Sequence, residues 1–155
     1  MSRGGADLAL LLLGGFRFMA DTATDRLAER GHAGVRPAHD FALRAIAAGA
    51  GSVSEVGRRT SVSKQAAAKT VAFLEESGYV RRTPDPRDRR RARLTVTDRG
   101  NSLMSEGEAV FDELRSEWEA LVGSDRITDL QSALVRLLGA ENTTVDDMTK
   151  DVPPA

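Results

Sequence analysis

The sequence has no cysteine and only two histidines among its 155 residues. The lack of cysteine excludes a disulfide framework, a thiolate metal cluster and a thiol redox switch, and the histidines have no ligand-spaced partner. A membrane span needs an apolar run of about 18 residues, and no run in the sequence is that long. The one strongly apolar stretch, Leu8–Leu13, is short and continues with helical spacing. We therefore expect a cytoplasmic protein without a metal, a cofactor or a membrane segment.

The net charge of −1 conceals a strong segregation of charge along the chain. Residues 1–57 hold 6 basic and 6 acidic side chains, residues 58–100 hold 12 and 5, and residues 101–155 hold 4 and 12. A basic segment between a neutral one and an acidic one indicates a local surface for a polyanion such as a nucleic acid. With 41% hydrophobic residues, the chain can also bury a compact core.

Hydrophobic spacing divides the chain into helices around one short hairpin. Alternating residues predict strands at 79–83 and 91–97. Gly14 and Gly15 weaken the first helix, so a kink or a close helix contact is expected there. The acidic tail, residues 140–155, has no period and is expected to be mostly disordered. Steps of three and four residues predict helices at 6–30, 37–48, 53–59, 64–76 and 99–122, with a further apolar stripe over 127–138.

Two of these helices, in and beside the basic segment, are joined by a three-residue turn. Ser52 and Glu55 form a capping-box pair, which predicts that the first helix begins directly after Ser52. Thr60–Val62 form the turn, and Ser63 is a good N-cap for the second helix. This arrangement is typical of a helix-turn-helix. The second helix is expected to bury Ala67, Val71 and Leu74.

The hairpin that follows carries the most specific motif of the sequence. Residues 85–90 have the pattern D-x-R-D-x-R, an alternating strand comes next, and Thr97 and Gly100 form a T-x-x-G that opens a long helix. This run resembles the wing of the MarR family of bacterial transcriptional regulators. The resemblance extends by motif over about Pro37–Gly100.

The resemblance implies a mainly helical fold with a small β wing, in which a winged helix-turn-helix adjoins a helical dimerisation region. It also implies a homodimer that binds double-stranded DNA at a pseudo-palindromic operator and most often represses a promoter. The domains implied are an N-terminal dimerisation helix at 1–34, the DNA-binding domain at 35–100 and C-terminal dimerisation helices at 101–139.

Candidate base contacts lie near the start of the second helix of the helix-turn-helix. An amide can bind adenine bidentately, lysines can bind phosphate or guanine, and a methyl group can contact thymine. The residues near the start of this helix that lie outside its predicted buried face are Ser63, Lys64, Gln65, Ala68 and Lys69. Weaker phosphate contacts are expected at the helix ends, from Ser52, Arg59 and Ser61.

The wing supplies a second set of candidate DNA contacts. A narrow minor groove attracts an inserted guanidinium, and we assign this role to Arg87 at the tip. Phosphate repels carboxylates, so Asp85 and Asp88 are expected to brace neighbouring arginine side chains rather than to bind DNA. The other wing arginines assigned to DNA are Arg89, Arg90 and Arg91.

An effector cleft is expected between the first two helices and the long helix after the wing. A ligand there could change the spacing of the two recognition helices of a dimer. An apolar or aromatic effector is favoured, because the candidate lining residues are Phe16, Met19, His39, Phe111 and Trp118.

Two other functions stay open at this point. The same fold could serve an architectural or antirepressor protein that contacts other proteins. An enzyme is the weakest alternative, because Ser61 and Lys64 match the S-x-x-K of serine acyl enzymes but no S-D-N or K-T-G follows. Gly57, where a small helix-favouring residue is usual, and the additional basic residues Arg91 and Arg93 depart from the family pattern.

Overall fold

The computed structural model describes residues 3–139 of the chain. Within this range the structure is mainly helical, with one two-stranded antiparallel sheet, which confirms the predicted fold class. The predicted tail, residues 140–155, lies outside the described residues. In chain order the elements are α1 (Gly4–Glu29), α2 (Pro37–Ala47), α3 (Val53–Arg59), α4 (Lys64–Glu76), β1 (Val80–Pro84), β2 (Ala92–Val96), α5 (Asp98–Val122) and α6 (Ser124–Leu138).

Serine caps set the starts of the two central helices at the predicted residues. Ser52 Oγ accepts from the Glu55 N–H (3.2 Å) and caps α3, and Ser63 Oγ accepts from the Ala66 N–H (3.1 Å) and caps α4. The capping box is only partly formed, because the Glu55 carboxylate accepts from the Gly51 N–H (3.0 Å).

Residues 35–97, which we call the lobe, surround one hydrophobic core. Leu43 of α2, Leu74 of α4 and Leu94 of β2 are fully buried there. The two strands pair from Val80 with Val96 to Pro84 with Ala92, so that the hairpin is held at its base by the core. The same core continues into α5 through Leu103, Val110 and Leu114.

Helices α1, α5 and α6, which we call the arm, are only partly covered. The second half of α1 buries Ala20, Ala23 and Leu27, whereas Leu8–Leu13 in its first half are exposed and α6 has no buried residue. A Cβ at Gly15 would lie 3.7 Å from the Trp118 ring, so the expected close helix contact is present. Within residues 3–139 no helix is long and apolar enough to cross a membrane.

Ion pairs orient α1 and α2 against α5. Arg30 and Arg26 both contact the Glu113 carboxylate, at 2.6 and 3.5 Å, and Arg44 contacts Glu108 at 2.9 Å. The hydrogen bond from Arg30 lowers the pKa of Glu113 below its ordinary value. Because these groups are largely exposed to solvent, they orient the helices more than they stabilise the fold.

The start of α5 lies very close to the backbone of the wing. A Cβ at Gly100 would be 2.3 Å from the Tyr79 carbonyl oxygen and 2.6 Å from Val96 Cγ1. Thr97 Oγ1 accepts from the Gly100 N–H (3.1 Å) and donates to the Gly78 carbonyl (2.6 Å). The T-x-x-G motif is therefore a packing requirement, since only glycine fits where α5 begins.

We expect Gly100→Ala to destabilise the protein by about 1–3 kcal/mol, the usual cost of overpacking, because the new methyl group meets backbone that cannot move aside. Chemical unfolding monitored by circular dichroism measures this loss. Gly107→Ala in the same helix is the matched control: its Cβ would meet only the Asp40 carboxylate at 3.8 Å. The control should gain up to about 1 kcal/mol from helix propensity. Equal stability of the two variants would contradict the packing account.

Candidate nucleic-acid interface

The turn between α3 and α4 is closed by the backbone. Ser61 adopts a left-handed conformation, with φ of 55°, and the Val62 N–H donates to the Gly57 carbonyl (3.0 Å). A Cβ at Gly57 would be 3.2 Å from the Val62 carbonyl oxygen and 3.3 Å from Ala67 Cβ. Gly57, the departure from the family pattern, thus allows α3 to approach the turn and α4 closely.

The outer face of α4 exposes the side chains that were predicted to face outward. They lie near the helix N-terminus, where the orphan N–H groups and the helix dipole favour an anion. The inner face, Ala67, Val71 and Leu74, is buried as predicted. DNA contact by the outward residues stays a prediction. The exposed set is Ser63, Lys64, Gln65, Ala68 and Lys69.

Aspartates brace the wing tip through its backbone. Asp85 Oδ1 accepts from the Arg87 N–H (2.9 Å), and Asp88 Oδ1 accepts from the Arg90 N–H (3.0 Å). The prediction that these aspartates hold arginine side chains is therefore wrong, apart from a long, exposed contact of 4.0 Å between Asp88 and Arg91. A carboxylate reaches the N–H two residues ahead without immobilising a long side chain, so the local bond is favoured.

This bracing leaves the arginine side chains of the tip available. All four arginines of the tip are exposed. Within residues 3–139, no ion pair is formed by the guanidinium groups of three of them, Arg87, Arg89 and Arg90. The fourth, Arg91, has only the long contact described above. The hairpin therefore presents a cluster of positive charge on a backbone whose turn is fixed.

Two contacts that the sequence reasoning missed anchor the base of the wing. Arg82 of β1 forms an ion pair with Glu75 of α4 (3.0 Å), which connects the base of the wing to the end of α4. The Leu94 N–H donates to the Gly51 carbonyl (2.9 Å), and the Arg93 side chain packs on Gly51, 3.1 Å from where a Cβ would lie. The opposite charges of Glu75 and Arg82, which lie on either side of the turn at Gly78, could have indicated the first of these contacts.

Arg59 does not have the geometry expected of a phosphate contact. Its Nη1 donates to the carbonyl of Ala48 (3.0 Å) and, more weakly, to that of Ala45 (3.5 Å), so it covers the end of α2. Its Nε is buried without a partner among the described residues. Ser52 and Ser61 are exposed, and their phosphate contacts stay predictions.

The five residues predicted to line an effector cleft do not lie together. Met19, Phe111 and Trp118 line a groove of about 490 Å³ between α1, α5 and α6. Phe16 is exposed and is not among the residues that line this groove. His39 lies elsewhere. In the cleft that was predicted, between α1, α2 and α5, only Phe111 of the five is a lining residue.

His39 is fixed in the lobe by local contacts. Its Nδ1 accepts from the Arg36 N–H (2.9 Å), and its ring stacks on Phe73 with 3.9 Å between centroids. Burial, and secondarily the charge of Arg36, lower the pKa of His39. The histidine is therefore accounted for by the packing of α2 on α4.

The cleft expected between α1, α2 and α5 exists, but it is nearly closed. It is lined by Leu27, Val35, Leu103 and Phe111 among others, and it holds about 20 Å³ of free space. This is room for about one water molecule. Among residues 3–139 no cluster of three histidines, aspartates or glutamates could hold a metal.

The closely packed helix pair, the exposed face of α4 and the hairpin with its arginine-bearing tip define a winged helix-turn-helix protein. Comparison with known proteins indicates which family of such proteins it resembles. Residues 33–91 match the model of the MarR family. Together with the fold, this match shows that the chain is similar to the MarR family of transcriptional regulators.

The individual relatives are distant. The HTH-type transcriptional regulator BilQ of Clostridioides difficile is 29% identical over 68 residues, which are 44% of this chain and 43% of BilQ. The reduced form of MarR from E. coli superimposes with a TM-score of 0.70 at 20% identity, over 85% of this chain and 96% of that one. A MarR family protein of Mycobacterium tuberculosis, in complex with p-aminosalicylic acid, gives 0.63 at 23% identity, over 85% and 98%.

We expect Asp85→Ala to speed amide hydrogen exchange at Arg87, because the variant removes the acceptor of that N–H. Asp85→Asn keeps an oxygen in the same place and is the matched control, so it should retain most of the protection. Exchange measured by NMR separates the two variants. Identical protection in the Ala variant and the parent would show that the aspartate does not order the tip.

Proposed function

We propose that this protein is a homodimeric transcriptional repressor that binds a pseudo-palindromic operator in double-stranded DNA. The observation that carries this proposal is the pairing of two exposed cationic surfaces on one rigid lobe: the start of α4 and the wing tip. A helix of this kind fits a major groove, and an arginine-bearing hairpin fits the adjacent minor groove. In this role Gln65 contacts a base and Arg87 enters the minor groove.

The homodimer is supported by the apolar surface of the arm. Leu11 is 73% exposed, Leu121 81% and Leu137 79%, and the groove between α1, α5 and α6 adds further apolar side chains. Monomeric proteins rarely expose contiguous apolar surface on this scale. A second copy related by a two-fold axis would cover both arms and would place two recognition helices on successive half-sites, about 34–36 Å apart.

Control by a small aromatic effector is the least supported part of the proposal. The nearly closed cleft between α1, α2 and α5 would have to open to admit such a ligand, since drug-sized sites have about 300–1,000 Å³. The p-aminosalicylic acid bound to the Mycobacterium tuberculosis protein supports an aromatic acid as the ligand class to be tried first. The alternative to control by an effector is a repressor that is controlled by its own concentration. The cytoplasmic location also stays a prediction.

DNA binding is tested with the duplex that the purified chain enriches from a random-sequence library. We expect Arg87→Ala to weaken binding to that duplex by about 1–3 kcal/mol, and Lys69→Ala to reduce the slope of affinity against salt concentration by about one, if it contacts phosphate. Arg136→Ala on α6 is the control and should bind as the parent does. Enrichment of no sequence would favour the architectural or antirepressor alternative, and unchanged binding by Arg87→Ala at every salt concentration would remove the tip from the interface.

Dimerisation is tested separately by sedimentation. Leu11→Glu would bury a charge in the proposed interface, so we expect it to convert the dimer to monomers at concentrations where the parent is dimeric. Ser54→Glu, on the exposed surface of α3, adds the same charge to the lobe and should leave the dimer intact. A parent chain that sediments as a monomer would overturn the proposed dimer.

A further inference from the structure

One buried polar side chain stands out in the core of the described residues. His32, in the loop between α1 and α2, is 4% exposed. Its Nδ1 lies 2.9 Å from the Tyr79 hydroxyl, and its Nε2 lies 3.3 Å from a carboxylate oxygen of Glu106. A buried polar group is costly unless it finds a polar partner, and both ring nitrogens lie close to side chains from distant parts of the chain.

Arg99 completes the group on the other side of Tyr79. Its Nη2 donates to the Tyr79 hydroxyl (3.3 Å) and to the Gly31 carbonyl (3.1 Å), and its Nε donates to the Ser77 carbonyl (3.0 Å). The guanidinium carbon lies 4.8 Å from the centre of the Tyr79 ring. Arg99 therefore contacts the end of α1, the end of α4 and the start of β1 together.

One arrangement of donors and acceptors links the members of this group in a chain. A guanidinium can only donate, so the Tyr79 oxygen accepts from Arg99 and its one hydrogen is free to point at His32. In the tautomer that carries its hydrogen on Nε2, Nδ1 accepts the Tyr79 hydrogen and the Nε2 N–H lies 3.3 Å from the Glu106 carboxylate. In this arrangement hydrogen bonds run from Arg99 through Tyr79 to His32, and Glu106 lies on the far side of the His32 ring.

These contacts join the arm to the lobe. His32 follows α1, and Tyr79 is the lobe residue between α4 and the wing. Arg99 is the second residue of α5, and Glu106 lies about two turns further along that helix. Lobe and arm meet here at the same point where Gly100 approaches the Tyr79 carbonyl. A network fixed at one end in each part resists rotation of one against the other.

We propose that His32, Tyr79, Arg99 and Glu106, the junction network, are positioning residues that set the angle of the lobe on the arm. In the homodimer proposed above, on which this inference rests, that angle sets the separation of the two recognition helices. The Tyr79 hydroxyl is the central element, because it is shared by Arg99 and His32. The network would thereby determine which half-site spacing the protein accepts.

The test uses the absence of native cysteine. Ala72→Cys on the exposed side of α4 places one spin label on each recognition helix of a dimer, and electron–electron distance measurements give their separation. We expect one narrow distance in this parent and a broadened or shifted one when Tyr79→Phe is added, since only the hydroxyl is lost. Thr22→Val is the matched control, because its hydroxyl bonds only to the Phe18 carbonyl within α1 (2.8 Å).

A second pair of variants guards against a general loss of folding in Tyr79→Phe. Glu106→Gln keeps an oxygen acceptor for the His32 N–H and should retain the narrow distance, whereas Glu106→Ala should broaden it. An unchanged distance in both Tyr79→Phe and Glu106→Ala would overturn the proposal. Absence of any intersubunit distance, with a monomer in sedimentation, would instead show that the proposed dimer had failed.

DNA binding provides the functional readout. We expect Tyr79→Phe to weaken binding to the enriched duplex roughly two- to tenfold, the range for one lost hydrogen bond, and to reduce the preference over duplexes whose half-sites are moved by one base pair. Binding to a single half-site should stay the same. Equal weakening on the single half-site and the full duplex would assign Tyr79 to the folding of the lobe and would overturn the positioning role.

Discussion

The approach of Gly100 to the carbonyl oxygen of Tyr79 is the constraint on which the rest of the structure depends. Because nothing larger than a hydrogen fits between them, α5 must begin against the backbone that links α4 to the wing. Thr97 adds its own hydrogen bond to the Gly78 carbonyl at the same place. Helix α4, the wing and the arm therefore meet at one fixed point. The exposed face of α4 and the wing tip are held in a defined arrangement as a result.

The elements that the sequence predicted well are those with local physical signals. Ser52 and Ser63 cap α3 and α4, and the apolar alternation around Leu94 marks the strand, so these bounds followed from neighbours in the chain. Side-chain partners were harder to predict, since they depend on which distant element lies opposite. The Asp85 carboxylate could have bound a guanidinium or the backbone, and only the shape of the turn decides. Arg59 was placed on the surface because nothing in the sequence indicates that the end of α2 lies beside it. His32 contacts both Tyr79, which is 47 residues away in the sequence, and Glu106. No local feature of the sequence indicates these two contacts.

Charge is divided between the two parts of the molecule in a way that suits the proposed orientation on DNA. The basic segment, residues 58–100, contains the whole of α4 and the whole wing, while the acidic segment begins within α5 and includes α6. A polyanion is attracted to the lobe and repelled from the arm, so encounters with DNA are biased toward one side of the protein. The net charge of the whole chain cannot indicate this, because the two contributions nearly cancel.

The lack of any buried side chain in α6 also affects how folding depends on the amount of protein. A helix of 15 residues with weak tertiary packing is marginal in water, and in a single chain α6 lies on α5 without completely burying any of its side chains. In the proposed dimer its apolar face gains further packing from a second copy, and ordering of the helix is then coupled to association. Thermal stability would accordingly rise with protein concentration. Dilution would loosen the end of the arm before the lobe unfolds, so that the supply of the protein in the cell would govern its conformation as well as its abundance.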